Sequence, residues 1–203
     1  TKILILGHTA PYHYSVLFKH DIIPTIYNLE EAKLLSKAAL EYGQTLNVHI
    51  ALDTGMTRIG FSLTDGSLDE ISEISKLENL NIDGIFSHFA DADNGLDRSF
   101  TYLQLERYRS FCRELSGRGV DIPVHHLFNS AAITELNAEF DMVREGIYLY
   151  GLLPSDTVNV SKVKALRPAM SLRSEVTHLH EIEAGTPVSY GCTFTAEHRM
   201  KIA

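Results

Sequence analysis

An apolar pentapeptide opens the stretch VHIALDTGMTRIGF at residues 48–61. Its first five residues have the length and the branched side chains of a buried strand. Asp53, Thr54 and Gly55 follow at once, and aspartate and glycine favour tight turns. A helical pattern from Leu68 to Leu77 comes next. The stretch therefore predicts a strand, a polar loop and a helix in succession.

The same alternation extends in both directions along the chain. The expected strands are residues 3–6, 22–27, 48–52, 82–88, 124–128 and 142–144. The expected helices run from the Asn28 N-cap to Gly43 and over 68–77, 100–115 and 130–136. Strict alternation with short connections predicts an α/β fold with a parallel sheet wrapped by helices. The periodicity fits a barrel and an open doubly wound sheet equally well.

The pattern changes after residue 155. We expect an α/β portion at 1–155, a polar linker at 156–165 and the start of a β-rich domain at 166–203. Strands are expected at 171–179, at 187–195 and from Met200 onward. The chain opens on a strand and stops inside one, whereas domains usually end in polar residues, so we expect an internal fragment.

Composition excludes several classes of partner. A net charge of -8 argues against a nucleic-acid surface, which needs clustered positive charge. No apolar run approaches the roughly 20 residues that cross a bilayer. Cys112 and Cys192 are too few for a disulfide framework, so a reducing cytoplasm is expected.

Unusual polar residues cluster directly after the expected strands. They are Asp53–Arg58, His88–Asp91, Asn129–Ser130 and Arg144–Gly146. In a parallel α/β fold these positions share the face at the carboxyl ends of the strands, where sites are built. Ser130 at a helix start and the backbone of Gly146 and Ile147 suggest a phosphate cradle. An N-cap without any ligand explains Ser130 equally well.

Some of these residues also occur in two other kinds of site, an aspartic-protease site and a metal site. Asp53-Thr54-Gly55 also occurs in aspartic proteases, but those proteins are all-β. A metal site would draw on a histidine and two carboxylates, His88, Asp91 and Asp93, whose spacing matches no strong template. His125 and His126 point to opposite sides of a strand and cannot readily bind one ion. We therefore expect no metal.

Five motifs, taken in order, resemble the alanine racemase family. They are residues 48–61, SHFA at 87–90, NSAA at 129–132, VREGI at 143–147 with LYG at 149–151, and VSYG at 188–191. The resemblance covers essentially the whole chain. It implies a partial (β/α)8 barrel that binds pyridoxal phosphate, followed by the start of a β-domain. It also implies a homodimer in which each β-domain completes the partner's site.

The resemblance further implies a role for each matching residue. Ser130 and the backbone of Gly146 and Ile147 would hold the cofactor phosphate, and Asn129 would be a further cofactor-binding residue. Arg144 faces the pyridine nitrogen and is buttressed by His88, and Arg58 reaches the phenolic oxygen of the cofactor. Tyr190 is one of two catalytic bases and acts in the other protomer's site.

The implied reaction is racemisation of a small amino acid, L-alanine to D-alanine, by two-base proton transfer at the α-carbon, supplying D-amino acid for peptidoglycan. Serine or a broader substrate range is the alternative within the family. A basic-amino-acid decarboxylase on a similar barrel pairs the pyridine nitrogen with glutamate, which Arg144 speaks against. A cofactor-binding barrel without catalysis would not need a β-domain that carries Tyr190.

Two departures from the family pattern stand out. The lysine that binds the cofactor covalently belongs to a strand before Thr1, so the chain alone is expected to be inactive. Ala51 stands where many relatives have a carbamylated lysine that orients the arginine matching Arg58. We expect a bound anion or another side chain to take over that function.

Overall fold

The computed structural model describes residues 2–159, 161, 163 and 166–203. The chain divides into two compact units, Thr1–Ala169 and Met170–Ala203. Part of the expected linker at 156–165 lies outside the described residues. No helix in the described part combines the length and hydropathy that crossing a bilayer requires.

Strands and helices alternate through the first unit. The strands are β1 (Ile3–Leu4), β2 (Ile22–Ile23), β3 (Thr25–Ile26), β4 (Leu46–Ala51), β5 (Leu80–Phe86) and β6 (Val124–His126). The helices are α1 (Tyr14–His20), α2 (Leu29–Tyr42), α3 (Asp65–Ile74), α4 (Ser99–Gly117) and α5 (Ser130–Glu135), with 3-10 helices at Pro11–His13 and Ile147–Tyr150. Four helices lie close to their expected positions. Helix α1 was not expected, because seven residues rich in aromatic and histidine side chains show no clear period.

The strands are parallel and follow one another in chain order. β1 pairs with β2, and β3, β4, β5 and β6 form a four-stranded sheet in that sequence. Pro24 separates β2 from β3, yet its carbonyl accepts a hydrogen bond from the His49 N–H at 3.1 Å. A doubly wound sheet reverses its strand order at a switch point, whereas a barrel does not. The order without reversal is that of part of a (β/α)8 barrel.

The two faces of this sheet differ in chemistry. Val48 and Ile50 of β4 are fully buried in the hydrophobic core, which also contains the buried face of α2. His49 lies between them in sequence and so points to the opposite face. On that face its ring contacts His126 of β6, which stacks on Phe86 of β5 with ring centroids 4.8 Å apart. The face away from the helices therefore holds polar side chains at its centre.

The expected sixth strand at Met142–Arg144 is not a strand. Around this segment, the Asp141 N–H donates to the His125 carbonyl at 3.1 Å and the Arg144 N–H donates to the Phe128 carbonyl at 3.0 Å. The segment thus runs beside β6 and its extension, but two isolated backbone bonds do not form a continuous ladder. The sequence prediction failed because apolar residues alone do not guarantee regular pairing.

The second unit consists of short antiparallel strands. They are β7 (His180–Ile182) with β10 (Met200–Ile202) and β8 (Pro187–Val188) with β9 (Phe194–Thr195). The strand expected at 171–179 is not formed, and the strand expected over 187–195 is a hairpin. Positive φ angles at Ser189, Gly191 and Cys192 (59°, 74° and 49°) reverse the chain there. Tyr190 lies at the tip of this hairpin and is fully exposed.

Candidate active site

The guanidinium of Arg144 lies at the centre of the polar face of the first unit. One nitrogen donates to the carbonyl of Ser87 at 2.7 Å and lies 3.4 Å from that of Leu127. The guanidinium carbon lies 5.3 Å from the ring centre of Phe86. Burial lowers the pKa of Arg144 to about 10, so the group remains protonated at neutral pH. The charge is held by carbonyl oxygens and a ring face instead of a carboxylate.

Two histidines continue the hydrogen bonds of Arg144 across the sheet. Arginine only donates, so His126 accepts at Nδ1 from Arg144 and carries its own proton on Nε2. That proton is directed at Nδ1 of His49, 2.8 Å away. Burial and the nearby arginine lower the pKa of His126 to about 2, and burial also lowers the pKa of His49. Both rings are therefore neutral and have defined tautomers.

A glycine lets His49 reach across β5. His49 lies on β4 and His126 on β6, and Gly84 of β5 pairs in register with His49. A Cβ on Gly84 would lie 2.4 Å from Cε1 of His49, closer than real Cβ contacts. A glycine inside a strand often marks such a close approach. Gly84, inside the strand expected at residues 82–88, is a sequence feature that could have indicated this contact, although the sequence prediction did not use it.

Substituting His126 with Gln is expected to flatten the acid dependence of stability. Below pH about 6.5 the unfolded chain protonates its histidines, while folded His126 stays neutral until about pH 2. The contribution of His126 to the free energy of unfolding is therefore complete above pH 6.5. It falls as the pH is lowered, by roughly 1 kcal/mol per pH unit. Urea unfolding of the full-length protein from neutral pH into the acid range measures the slope. His20→Gln, on the exposed end of α1, is the matched control, and an equal slope in wild type and His126→Gln would contradict the prediction.

His88 lies beside Arg144 and shares a small cleft with Arg58. Its Nδ1 is 3.3 Å from a guanidinium nitrogen of Arg144. Burial, followed by the charges of Arg144 and Arg58, lowers the pKa of His88 to about 4. Arg58 and His88 both line the cleft next to the end of β4. Ala51 is buried and offers only a methyl group, so the partner expected for Arg58 stays a prediction.

The residues expected to cradle a phosphate are partly brought together. The Gly146 N–H donates to Oγ of Ser130 at 3.0 Å, although the two residues are 16 positions apart. Asn129 caps α5 by accepting from the Ala132 N–H at 3.1 Å. Ile147 begins the 3-10 helix that follows Gly146. The contact between Ser130 and Gly146 joins two loop ends, while the capping by Asn129 is what a helix start needs without any ligand.

Tyr190 belongs to the second unit, whereas the residues that surround Arg144 belong to the first. Among the described residues, no group of three or more His, Cys, Asp or Glu side chains is arranged to hold a metal ion. The sequence predicted no site role for His49 or Ser87 and placed His126 only on a strand. Ser87 and His126 nevertheless accept hydrogen bonds from Arg144, and His49 lies within hydrogen-bond distance of His126.

Profiles of protein families match nearly the whole chain. The alanine racemase N-terminal domain matches residues 1–154, and the alanine racemase C-terminal domain matches residues 169–203. The chain belongs to the alanine racemase family. Solved structures of alanine racemases match this chain, whose parallel α/β unit is followed by short antiparallel strands, and this match confirms the expected fold class.

Several members of the family allow a direct comparison. Alanine racemase from Methanococcus maripaludis is 42% identical over 202 residues, which is 99% of this chain and 54% of the relative. The structure of alanine racemase from Clostridium difficile 630 is 39% identical with a TM-score of 0.85, covering 98% of this chain and 52% of the other. A histidine racemase from Leuconostoc mesenteroides is 26% identical with a TM-score of 0.75, covering 99% and 53%. The chain thus spans about half the length of the family members that it matches.

Proposed function

We propose that the full-length protein containing this chain is a pyridoxal-phosphate-dependent racemase that interconverts L- and D-alanine. The observation that carries the proposal is the state of Arg144 Nε. This N–H is buried and has no acceptor within the described part of the chain. Leaving a buried donor unpaired costs roughly 1–3 kcal/mol, so the site fits a ligand that presents an acceptor there.

The neutral ring nitrogen of pyridoxal phosphate is such an acceptor. Arg144 would hold it, since the other guanidinium nitrogens are engaged by Ser87, His126 and His88. The phosphate would be held by Ser130 and the backbone of Gly146 and Ile147, with Asn129 beside them. Arg58 would bind the phenolic oxygen. The donor set of two loop ends and two arginines suits an anionic, nitrogen-containing cofactor.

The bound cofactor supplies stabilisation of negative charge at the α-carbon of the amino acid. Arg144 keeps the proton that it carries, because even its lowered pKa of about 10 leaves it a poor acid at neutral pH. Arg144 would therefore leave the ring nitrogen of the bound cofactor unprotonated, and a cofactor held in this way would withdraw electrons less strongly than one held by a carboxylic acid. This restraint favours brief removal and return of one proton over side reactions such as transamination.

Tyr190 would remove or return the α-proton on one face, in the site of the partner subunit of a homodimer. Racemisation needs a second base on the other face, and we assign that base to a lysine outside this chain. A tyrosine has an ordinary pKa near 10 and must lose its proton to its surroundings before it acts as a base. The exposed hairpin tip would present Tyr190 to such a partner.

The substrate is proposed to be alanine, with serine or a broader range as the alternative. The relatives named alanine racemase support alanine as the substrate. The structure named histidine racemase has a similar fold, so the fold by itself does not identify the substrate. A decarboxylase is disfavoured by Arg144 in place of glutamate, and a non-catalytic barrel by the β-domain that carries Tyr190. D-alanine for peptidoglycan is the use proposed for the product, in the cytoplasm.

Activity of the purified full-length protein with pyridoxal phosphate tests the proposal. The protein is incubated separately with L-alanine, L-serine and L-histidine, and the D-enantiomers are separated by chiral chromatography. We expect D-alanine to form fastest. Faster formation of D-serine or D-histidine would overturn the substrate, and no D-enantiomer from any of them would overturn the racemase.

A further inference from the structure

Helix α4 carries a buried polar stripe, formed by Thr101, Gln104 and Tyr108. These residues follow at intervals of three and four and so share one face of the helix. Their exposed fractions are 1%, 0% and 1%. The Thr101 hydroxyl donates to the Asp91 carbonyl at 3.1 Å, and the Tyr108 hydroxyl donates to the Ile85 carbonyl at 2.9 Å. The stripe thus binds the main chain of β5 and of the loop that follows it.

Gln104 is the member of the stripe that joins two loops. Its amide nitrogen donates to the Thr54 hydroxyl and to the His88 carbonyl, both at 3.0 Å. Its amide oxygen accepts from the Ala90 N–H at 2.9 Å. Thr54 follows β4, whereas His88 and Ala90 follow β5. All the amide's hydrogen-bonding groups face these loops, and none faces solvent.

The junction extends to Arg144 through Ser87. The hydroxyls of Thr54 and Ser87 share a hydrogen bond at 2.9 Å, and the Ser87 carbonyl accepts from Arg144. His88 supplies a second acceptor to the same guanidinium nitrogen. A shift of the Ser87–His88 backbone would therefore move these two of the acceptors of Arg144 together. Gln104 holds that backbone from the helix side.

We propose that Gln104 is a positioning residue that sets the placement of His88 and Arg144 relative to the loop that carries Arg58. This inference rests on the proposed function, because it assigns the three residues to one active site. All three hydrogen bonds of the Gln104 side chain go to the two loops, so we place Gln104 outside the catalytic groups themselves. Its effect passes through the Thr54 hydroxyl and the His88 carbonyl.

The state of His88 reports this placement. Burial and the charges of Arg144 and Arg58 hold the pKa of His88 near 4. If the loop that carries His88 shifts, the His88 ring becomes more exposed to solvent and moves away from the two arginines. Its pKa should then rise toward 6.5. If Gln104 only stabilised helix α4, its substitution would leave the surroundings of the His88 ring, and so the pKa of His88, unchanged.

The test compares Gln104→Met with Thr101→Val in the full-length holoenzyme. Met keeps the length of the side chain but removes all three hydrogen bonds. Thr101→Val removes one buried hydrogen bond from the same stripe and is the matched control. The His88 ring is followed by NMR with labelled histidine between about pH 5 and 8, and its signal is assigned from its loss in His88→Gln. Racemisation gives kcat and KM separately.

We expect the His88 signal to titrate within this range in Gln104→Met and to stay at its neutral position in wild type and Thr101→Val. We expect kcat to fall about tenfold or more with a smaller change in KM, since small misplacement of catalytic groups is costly. An unchanged His88 titration in Gln104→Met would overturn the proposal and leave Gln104 a structural residue. If Gln104→Met does not fold, Gln104→Glu replaces it under the same criteria. Glutamate keeps an acceptor for the Ala90 N–H but places a carboxylate oxygen, which cannot donate, against the His88 carbonyl.

The NMR result does not depend on turnover. A wild-type protein without racemase activity would refute the proposed function, yet the His88 titration would still show whether Gln104 places the loop. A wild-type protein with activity but an unresponsive His88 would refute only the inference about Gln104. The two failures are therefore distinguishable.

Discussion

Tyr190→Phe is expected to slow racemisation in the full-length protein by about 10³-fold, because the variant lacks the proposed base on one face of the α-carbon. The side chain is fully exposed in this chain, so loss of its hydroxyl should not affect folding. Racemisation requires removal of a proton on one face and delivery on the other. With one base absent, both directions of racemisation are therefore slowed.

Exchange of the α-proton in D2O separates this effect from a general loss of activity. In Tyr190→Phe, one enantiomer of alanine should still exchange its α-proton through the remaining base, while the other should not. Phe194→Leu, on the same hairpin, is the control and should exchange both. Equal exchange of both enantiomers in Tyr190→Phe would show that Tyr190 is not a base.

Arg144→Glu is expected to lower racemisation by about 10²-fold or more and to raise transamination relative to it. Glutamate has an ordinary pKa near 4.3 and can share a proton with the ring nitrogen, whereas arginine holds its proton. A protonated ring withdraws electrons more strongly and prolongs the negative charge, which allows a proton to return at the wrong atom. The variant also removes the donors to Ser87 and His126.

The ratio of pyruvate to D-alanine formed from L-alanine measures this change. Arg144→Lys retains the positive charge but loses the fork of donors, so it should lower the rate without raising the ratio. Circular dichroism of each variant shows that the fold is intact. An unchanged ratio in folded Arg144→Glu would refute the role proposed for Arg144.

Much of the fold could be predicted from local patterns. The helix after Asn28 ends at Gly43 as its caps indicate, because the Asn28 side chain accepts from the Glu31 N–H and Gly43 adopts a positive φ. Such signals depend on neighbours in sequence. Helix α1 was not expected, because its seven residues show no clear period. Met142–Arg144 is not the expected strand, because only two isolated backbone hydrogen bonds join this part of the chain to β6 and its extension.

The sequence predicted several residues of the candidate site but not the hydrogen bonds that join them. Polar residues after strands pointed to Arg58, His88 and Arg144, and all three lie on the first unit near one another. The family resemblance placed His88 beside Arg144, but the other partners of Arg144 were not predicted. His126 was regarded as one of a pair on opposite sides of a strand, which agrees with its geometry but does not reveal that it binds arginine.

Local sequence patterns were sufficient to predict the alternation of strands and helices, the polar loops at the strand ends and the resemblance to one family. Only the tertiary structure showed that His49 reaches His126 over Gly84, that Gln104 joins two loops, and that Tyr190 lies on a hairpin. Periodicity records which face of an element a residue occupies. It does not record which residue of another strand or helix meets it there, since His49 and His126 are 77 positions apart and come together only when the sheet forms.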